Sequence, residues 1–316
     1  MRSYLDFEKP VAELEAKVEE LRALSASNGV AIGDEVQRLE AKAHDALVAL
    51  YANLSPWQKT LVARHPLRPH FGAFAERLFE EFTPLAGDRK FGEDEAIIGG
   101  FARFRGESVC VLGHEKGSTT ETRIRHNFGM ARPEGYRKAV RLMELADSFG
   151  IPVISLVDTA GAYPGIGAEE RGQAEAIARS TDACLGLSVP NVSIIIGEGG
   201  SGGAIALATA NRVLMMEHAI YSVISPEGAA SILWRDTAKA QDAATNMKIT
   251  AQDLLKFGVI DSIVKEPVGG AHRDPDTAIA AAGDAIAEAL ASLSDLEGPA
   301  LRKARREKFL AIGRGL

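Results

Sequence analysis

The chain has 316 residues, of which 46% are hydrophobic, so it is long enough to bury a large core and to form roughly two domains. Its formal net charge of -7 argues against a general nucleic-acid binder, which needs a basic surface to meet phosphates. The two cysteines, Cys110 and Cys184, lie far apart and form no C-x-x-C motif, so the sequence predicts neither a bound metal nor a disulfide framework and favours a reducing compartment.

The N-terminal segment MRSYLDFEKP argues against a secreted protein. It carries charges where a signal peptide needs an apolar core. Further along, no uninterrupted apolar run approaches the ~20 residues that a membrane span needs. We therefore expect a cytoplasmic protein that does not bind membranes.

Two short amphipathic helices are predicted next. After Pro10, which suits a first helical turn, apolar residues recur every three or four positions: Val11, Leu14, Val18 and Leu21. The segment SASNGVAIGD interrupts this pattern. It then returns in a second set: Ile32, Val36, Leu39, Ala43 and Leu47. We expect a helical hairpin whose apolar stripe packs either on its own domain or at a subunit interface.

From Ala96 onward, strand and helix patterns alternate. AIIGGFARFRGESVCVLGHEKG predicts a β-hairpin that turns at Arg105 and Gly106, and RPEGYRKAVRLMELADSFG predicts a helix ending at Gly150. IPVISLVDTAG and VPNVSIIIGEGG are nearly continuous apolar runs, typical of buried strands, and AEERGQAEAIARSTDACLGL between them predicts one helix. The segment from Gly202 to Trp234 continues as helix, strand, strand and helix. This order indicates an α/β protein whose mostly parallel sheet is flanked by helices.

Two helices are predicted at the C-terminus. DPDTAIAAAGDAIAEALASL is rich in alanine, and ALRKARREKFLAIGRGL is amphipathic and basic. We expect the basic residues of the second helix to lie on a solvated face.

The segment IIIGEGGSGGAIAL matches three motifs that imply different chemistry. Gly197, Gly199 and Gly202 fit the dinucleotide pattern G-x-G-x-x-G. Gly199, Ser201 and Gly203 fit the nucleophile elbow G-x-S-x-G. The bare amides at the start of the following apolar helix fit an oxyanion hole that needs no side chain.

The dinucleotide-binding and nucleophile-elbow interpretations fit the sequence poorly, and so does that of a GTPase. The unit from Ile194 to Met216 is shorter than the ~30 residues of a dinucleotide-binding βαβ unit. A hydrolase needs an acid and then a histidine after Ser201; His218 follows too soon and His272 lies in a polar loop, so we expect both at the solvated surface. ISLVDTAG resembles a GTPase switch, but the chain has no G-x-x-x-x-G-K-[ST].

A site made of backbone amides remains. DTAGAYPGIGAEE and GEGGSGGA each follow a buried strand and precede a helix, so their N–H groups should point out of the same edge of the sheet. Glycine suits this role because a substrate oxygen must come within ~3 Å of an amide nitrogen, where a Cβ would intrude. The sequence therefore predicts oxyanion binding by these two glycine loops.

Several long segments carry a family resemblance: LDFEKPVAELEAKVEEL, RHPLRPH, FGMARPEGYRKAVRLM, LVDTAGAYPGIGAEERGQAEAIA, GEGGSGGAIALA and SPEGAASILWRD. In this order they resemble the carboxyltransferase α subunit of the bacterial-type acetyl-CoA carboxylase, from Leu5 to Glu266. GSGGAIALATANRVLM is also similar to the wider crotonase superfamily, whose oxyanion-hole glycine begins a short helix. The family usually continues RHP-x-RP into an Asp-Tyr pair, whereas HFGAFAERL follows here, so no role is carried over to that stretch.

The resemblance implies a crotonase-like (ClpP/crotonase) fold and a division of the chain. We expect an N-terminal helical region over 1–85, a carboxyltransferase domain over 86–268, and C-terminal helices over 269–316. It also implies transfer of the carboxyl group of carboxybiotin, held on the biotin carboxyl carrier protein, to acetyl-CoA. The product is malonyl-CoA, in the first committed step of fatty acid biosynthesis.

The resemblance further implies the partners. A β subunit would carry the zinc ribbon and most of the acetyl-CoA site, two copies of each subunit would form an α2β2 heterotetramer, and biotin carboxylase would supply the carboxybiotin. We expect no covalently bound cofactor in this chain and zinc in the β subunit only.

Site roles follow from the two glycine loops and the resemblance together. We expect the amides of Gly202 and Gly203 to bind the ureido oxygen of biotin as the catalytic oxyanion hole. The substrate-binding residues would be Gly161, Ala162, Tyr163, Pro164, Gly199, Gly200, Ser201 and Gly228. We expect Ser225 to cap the helix that starts in SPEGAAS.

Other polar residues receive alternative roles. Asp158 and Glu198 are expected to cap the backbone of their own loops. The basic stretch would either attract the phosphates of coenzyme A or the acidic carrier, or form a charged surface: Arg123, Arg125, His126, Arg132, Arg137 and Lys138. Two other functions stay open, a crotonase-type enoyl-CoA hydratase that would use Glu169 and Glu170, and a non-catalytic scaffold.

Overall fold

A computed structural model describes residues 3–28 and 33–314. The N-terminal region forms the expected helical hairpin from α1 (Lys9–Asn28) and α2 (Gly33–Ala52). Val11 and Leu47 pack together with Tyr51 and Val62, so the base of the hairpin lies on its own chain. Ile32, expected on the second helix, lies outside the described residues.

The remaining elements alternate as the apolar runs predict. The helices are α3 (Pro56–Ala63), α4 (Phe71–Leu78), α5 (Thr120–Arg125), α6 (Pro133–Phe149), α7 (Ile166–Glu170), α8 (Gln173–Gly186), α9 (Ser201–Ala208), α10 (Pro226–Trp234), α11 (Ala240–Asn246), α12 (Ala251–Lys256), α13 (Pro275–Ala291) and α14 (Gly298–Ala311). The strands are β1 (Glu80–Pro84), β2 (Ile97–Phe104), β3 (Glu107–His114), β4 (Val153–Thr159), β5 (Asn191–Gly200), β6 (Arg212–Met216), β7 (Ile220–Ser222) and β8 (Ser262–Val264).

One sheet joins the strands of the described residues in the order β1-β2-β3-β4-β5-β6-β8, and β7 pairs with the end of β5. The first three strands are antiparallel and the pairs from β3 onward are parallel, which confirms a mostly parallel α/β sheet. The hairpin turn is also confirmed, with Arg105 and Gly106 both at positive φ. One hydrophobic core runs from α4 to α14, and the division at 85 and 268 stays a prediction.

The single helix expected between the two buried strands is wrong. It is divided into α7 and α8 at Gly172, which has a φ of 82°. A left-handed glycine ends a helix readily because it has no Cβ to clash with the preceding carbonyl.

The surface positions expected for His218 and His272 are also wrong, because both side chains are buried. The N-terminal region packs over them: the ring of His272 stacks on His65 with centroids 3.8 Å apart, and His218 meets Tyr51 edge-on. Burial lowers the pKa of both histidines, that of His272 to about 3.

The basic face of α14 is only partly solvated, because Arg305 is fully buried. Its guanidinium donates hydrogen bonds to the carbonyl oxygens of Leu187 and Val189, just before β5, and to Asn211, just before β6. The backbone carbonyls ahead of β5 have no partner in the sheet ladder, so the buried guanidinium on the last helix donates hydrogen bonds to them. None of the helices within the described ranges is long and apolar enough to cross a membrane.

Candidate oxyanion site at two glycine loops

The two glycine loops lie against each other at the carboxyl edge of the sheet. Thr159 at the end of β4 pairs with Gly199 near the end of β5. A Cβ on Gly200 would lie 2.2 Å from the carbonyl carbon of Ala160, and one on Gly203 would lie 2.9 Å from the nitrogen of Ala162. The loops are therefore in backbone contact, and glycine is required at these two positions because a side chain has no room.

The first turn of helix α9 lies at this contact, through Gly203. Gly202 and Gly203 follow Ser201 in that turn, where N–H groups precede the first residue that can donate within the helix. Ser201 has a φ of 50°, the strained conformation of an elbow residue. The imidazole at this edge, His70, is held by Asp158, to which its Nδ1 lies 2.8 Å away.

Behind the loops lies a chain of charged side chains, buried at its centre and more exposed at Arg64 and Glu227, that the sequence did not predict. Lys116, two residues beyond β3, places its Nζ 2.9 Å from Oδ1 of Asp158 and 2.6 Å from Oε2 of Glu198. Glu198 also accepts a hydrogen bond from Nε of Arg64, whose guanidinium reaches Glu227 on α10. We call these five residues, with His70, the charge chain.

Asp158 and Glu198 do not have the capping roles expected for them. Asp158 accepts a hydrogen bond from the amide of Glu198, on the neighbouring strand, rather than from its own loop. Glu198 forms ion pairs with Lys116 and Arg64 and not a cap. Sheet order explains the difference, because β3, β4 and β5 are adjacent and their carboxyl ends bring distant residues together.

The ionic states of the charge chain support one another. Burial alone would raise the pKa of Asp158, but Lys116 and the hydrogen bond from His70 outweigh it and hold that pKa well below its usual range. The pKa of Glu198 is lowered for the same reason, by Lys116 and Arg64 acting against burial. Burial lowers the pKa of Lys116, and the two carboxylates more than reverse this. All three groups are therefore charged at neutral pH.

The other predicted site residues line the first loop and its surroundings. The Tyr163 ring folds over Gly165, and the guanidinium of Arg132 lies 4.9 Å from its centroid. Gly161 has a φ of 143°, and Pro164 is exposed. The hydroxyl of Tyr136 is buried 3.0 Å from where a Cβ of Gly203 would lie and has no hydrogen-bond partner in the described part of the chain.

Gly228 lies apart, on the first turn of α10. Its amide donates to Oγ of Ser225, which confirms Ser225 as the cap of that helix. Ser225 and Ser222 border a small cleft beside Gly199 and Gly200.

Two further expectations change with the structure. Within the basic stretch, Lys138 is buried and binds Glu93, so it is not available to a phosphate or a carrier. Glu169 and Glu170 are exposed on α7, which removes the paired pocket acids that a hydratase would need. Among residues 3–28 and 33–314, no group of three or more His, Cys, Asp or Glu side chains is arranged to hold a metal ion.

Comparison with known proteins identifies the family of the chain. Residues 4–313 match the family model described as acetyl co-enzyme A carboxylase carboxyltransferase-like. The acetyl-coenzyme A carboxylase carboxyl transferase subunit alpha of Xanthobacter autotrophicus is 86% identical, and that of Azorhizobium caulinodans 81%, each over 100% of both chains.

Solved structures share the fold at low sequence identity. Transcarboxylase 12S superposes with a TM-score of 0.58 at 20% identity, over 73% of this chain and 44% of that one. A Pseudomonas malonate decarboxylase hetero-tetramer gives 0.57 at 17% identity, over 71% and 88%. These structural similarities show the crotonase-like fold, and the full-length relatives show the family. The chain belongs to the alpha subunits of acetyl-CoA carboxylase carboxyl transferase and is a subunit of a biotin-dependent carboxyltransferase.

Proposed function

We propose that the amides of Gly202 and Gly203 form the oxyanion hole for the ureido oxygen of carboxybiotin as its carboxyl group passes to acetyl-CoA. The observation that carries this proposal is the backbone contact between the two glycine loops, at which Gly202 and Gly203 in the first turn of α9 have no side chains. Gly161, Ala162, Tyr163 and Pro164 would form the opposite wall. Ser201 would contribute small size rather than a nucleophile.

The chemistry needs preorganised donors more than it needs a side-chain base. The C–N bond of carboxybiotin breaks, CO2 leaves, and the electron pair returns to the ureido group as an enolate-like anion. That anion takes the α-proton of the thioester, and the resulting thioester enolate attacks CO2 to give malonyl-CoA. Removing one oxyanion donor typically raises such a barrier by ~3 kcal/mol, so this hole would supply a large part of the catalysis.

The proposal includes the partners that the family resemblance implies. A β subunit with a zinc ribbon would bind most of acetyl-CoA, and an α2β2 heterotetramer would place each site between an α and a β subunit. The carrier protein would deliver the carboxybiotin that biotin carboxylase makes. Because the two thiols of Cys110 and Cys184 are free and buried, a reducing cytoplasm suits the complex.

The test is substitution in the complex reconstituted with its β subunit. We expect Gly203→Trp to lower the kcat of malonyl-CoA formation by about 100-fold or more, because the new side chain has no room beside Gly161 and Ala162 and would displace the amide of residue 203. Ser201→Ala should keep most of the activity. Normal turnover of an assembled Gly203→Trp complex would rule out the oxyanion hole, and loss of activity in Ser201→Ala would revive the nucleophile. A pure scaffold predicts altered assembly in both and no effect on the rate of assembled complexes.

A further inference from the structure

We propose that Lys116 is a positioning residue for carboxyl transfer: its ammonium joins the carboxylates that end β4 and β5 and so sets the spacing of the two glycine loops. This inference rests on the proposed function, because it assumes that those loops carry the oxyanion donors.

The sheet ladder constrains that spacing only in part. Backbone pairing of β4 with β5 is regular up to Val157 and Ile195 and resumes only at Thr159 and Gly199. Between these points the single residue Asp158 lies opposite residues 196–198, so the ladder is interrupted by a bulge. The loops begin beyond this interruption and the single ladder pair that follows it, so their separation also depends on contacts outside the ladder.

Lys116 bridges the interruption. Its Nζ is 2.9 Å from Asp158 and 2.6 Å from Glu198, and the same Asp158 oxygen, Oδ1, accepts the amide of Glu198. Ala160 and Gly200, which make the close backbone contact between the loops, each follow one of these carboxylates by two positions. A shift of either carboxylate therefore moves that contact.

The bridge is shielded from water, so its electrostatic effect is strong. The side chain of Lys116 is 14% exposed, and those of Asp158 and Glu198 are 1% and 9% exposed. The charge chain holds three carboxylates, with Glu227 as the third, and Lys116 and Arg64 as its permanent cations. Without Lys116 the two strand ends would present neighbouring buried carboxylates, which repel each other and attract protons or water.

This position predicts a particular kinetic effect. Oxyanion donors act on charge that develops in the transition state, so misplaced loops lower kcat, while binding of the carrier and of acetyl-CoA through other surfaces is kept. In the reconstituted complex we expect Lys116→Met to lower the kcat of malonyl-CoA formation by about 100-fold, and to change the KM for each substrate by less than about threefold.

Lys308→Met is the matched control. Lys308 is 16% exposed, pairs with Asp261, and lies at the opposite edge of the same sheet. Its loss should lower the thermal midpoint and leave the kcat of the folded complex within about twofold of the wild type. An equal fall of kcat in both variants would show that general destabilisation, and not loop spacing, is responsible.

A double variant separates the effect of loop position on kcat from the effect of lower stability. It also keeps the inference testable if Lys116→Met folds poorly. In Lys116→Met with Glu198→Gln one buried carboxylate is neutralised, so we expect the thermal midpoint to recover while kcat stays low. Recovery of kcat together with the midpoint would overturn the inference. The two proposals can fail separately. If Gly203→Trp abolishes carboxyl transfer and Lys116→Met leaves it normal, only the role of Lys116 is refuted. If Gly203→Trp is active, the proposed function is refuted.

Discussion

Gly200→Ala tests directly whether the contact between the two loops matters. The new Cβ would lie 2.2 Å from the carbonyl carbon of Ala160, whereas ordinary contact begins at 3.4 Å, so one loop must retreat by about 1.2 Å. A misplacement of ~1 Å can lower a rate by about 100-fold, because reacting groups and donors lose their alignment. Overpacking of this kind also lowers the free energy of unfolding by about 1–3 kcal/mol.

The assay is the initial rate of malonyl-CoA formation by the reconstituted complex, with the thermal midpoint measured on the same sample. Gly186→Ala is the control, because a Cβ at that last residue of α8 would meet no atom within 4 Å. We expect unchanged turnover and equal or higher stability for the control. A Gly200→Ala complex with wild-type kcat would refute the reasoning, since the loops would then tolerate a displacement that the geometry forbids.

Two further predictions concern stability. Arg305→Met should lower the free energy of unfolding by about 3 kcal/mol, because it leaves buried carbonyls without donors; a change below 1 kcal/mol in urea unfolding would contradict this. His272 has its pKa lowered to about 3 by burial and by the neighbouring His65 and Arg68, so the unfolded chain takes up a proton that the folded chain refuses. Stability should therefore fall as the pH drops from about 6.5 towards 3, by up to about 1.4 kcal/mol per pH unit, and His272→Phe should flatten this slope in urea midpoints measured at several pH values.

Short sequence patterns predicted much of the fold, because strands, tight turns and glycine loops depend mainly on residues that are neighbours along the chain. The apolar runs ending at Thr159 and Gly200 required buried parallel strands, and the pair Arg105-Gly106 required a tight turn. The two glycine loops were found for the same reason, since a strand, a glycine cluster and a helix follow one another along the chain.

Contacts between distant segments were beyond such reasoning. Lys116 meets Glu198 because the sheet order brings the ends of β3 and β5 near each other, and Arg64 meets it because α3 packs on β5. No spacing along the chain encodes these contacts. His70 lies in the stretch that departs from the family pattern, yet it binds Asp158. The burial of His218 likewise depends on where the N-terminal hairpin packs. A signal for Lys116 did exist, because it follows a predicted strand at the edge where both loops emerge.

The buried guanidinium of Arg305 has a consequence for how the protein is made. It donates hydrogen bonds to backbone carbonyls that precede β5 and to the side chain of Asn211, which precedes β6, although it lies on α14, the last of the described helices. During synthesis the accepting groups, the last of which is on Asn211, are translated more than ninety residues before this donor. They lack their native donor until the C-terminal helix has been made. The carbonyl groups of Leu187 and Val189 can therefore gain these native hydrogen bonds only after residue 305 has been synthesised.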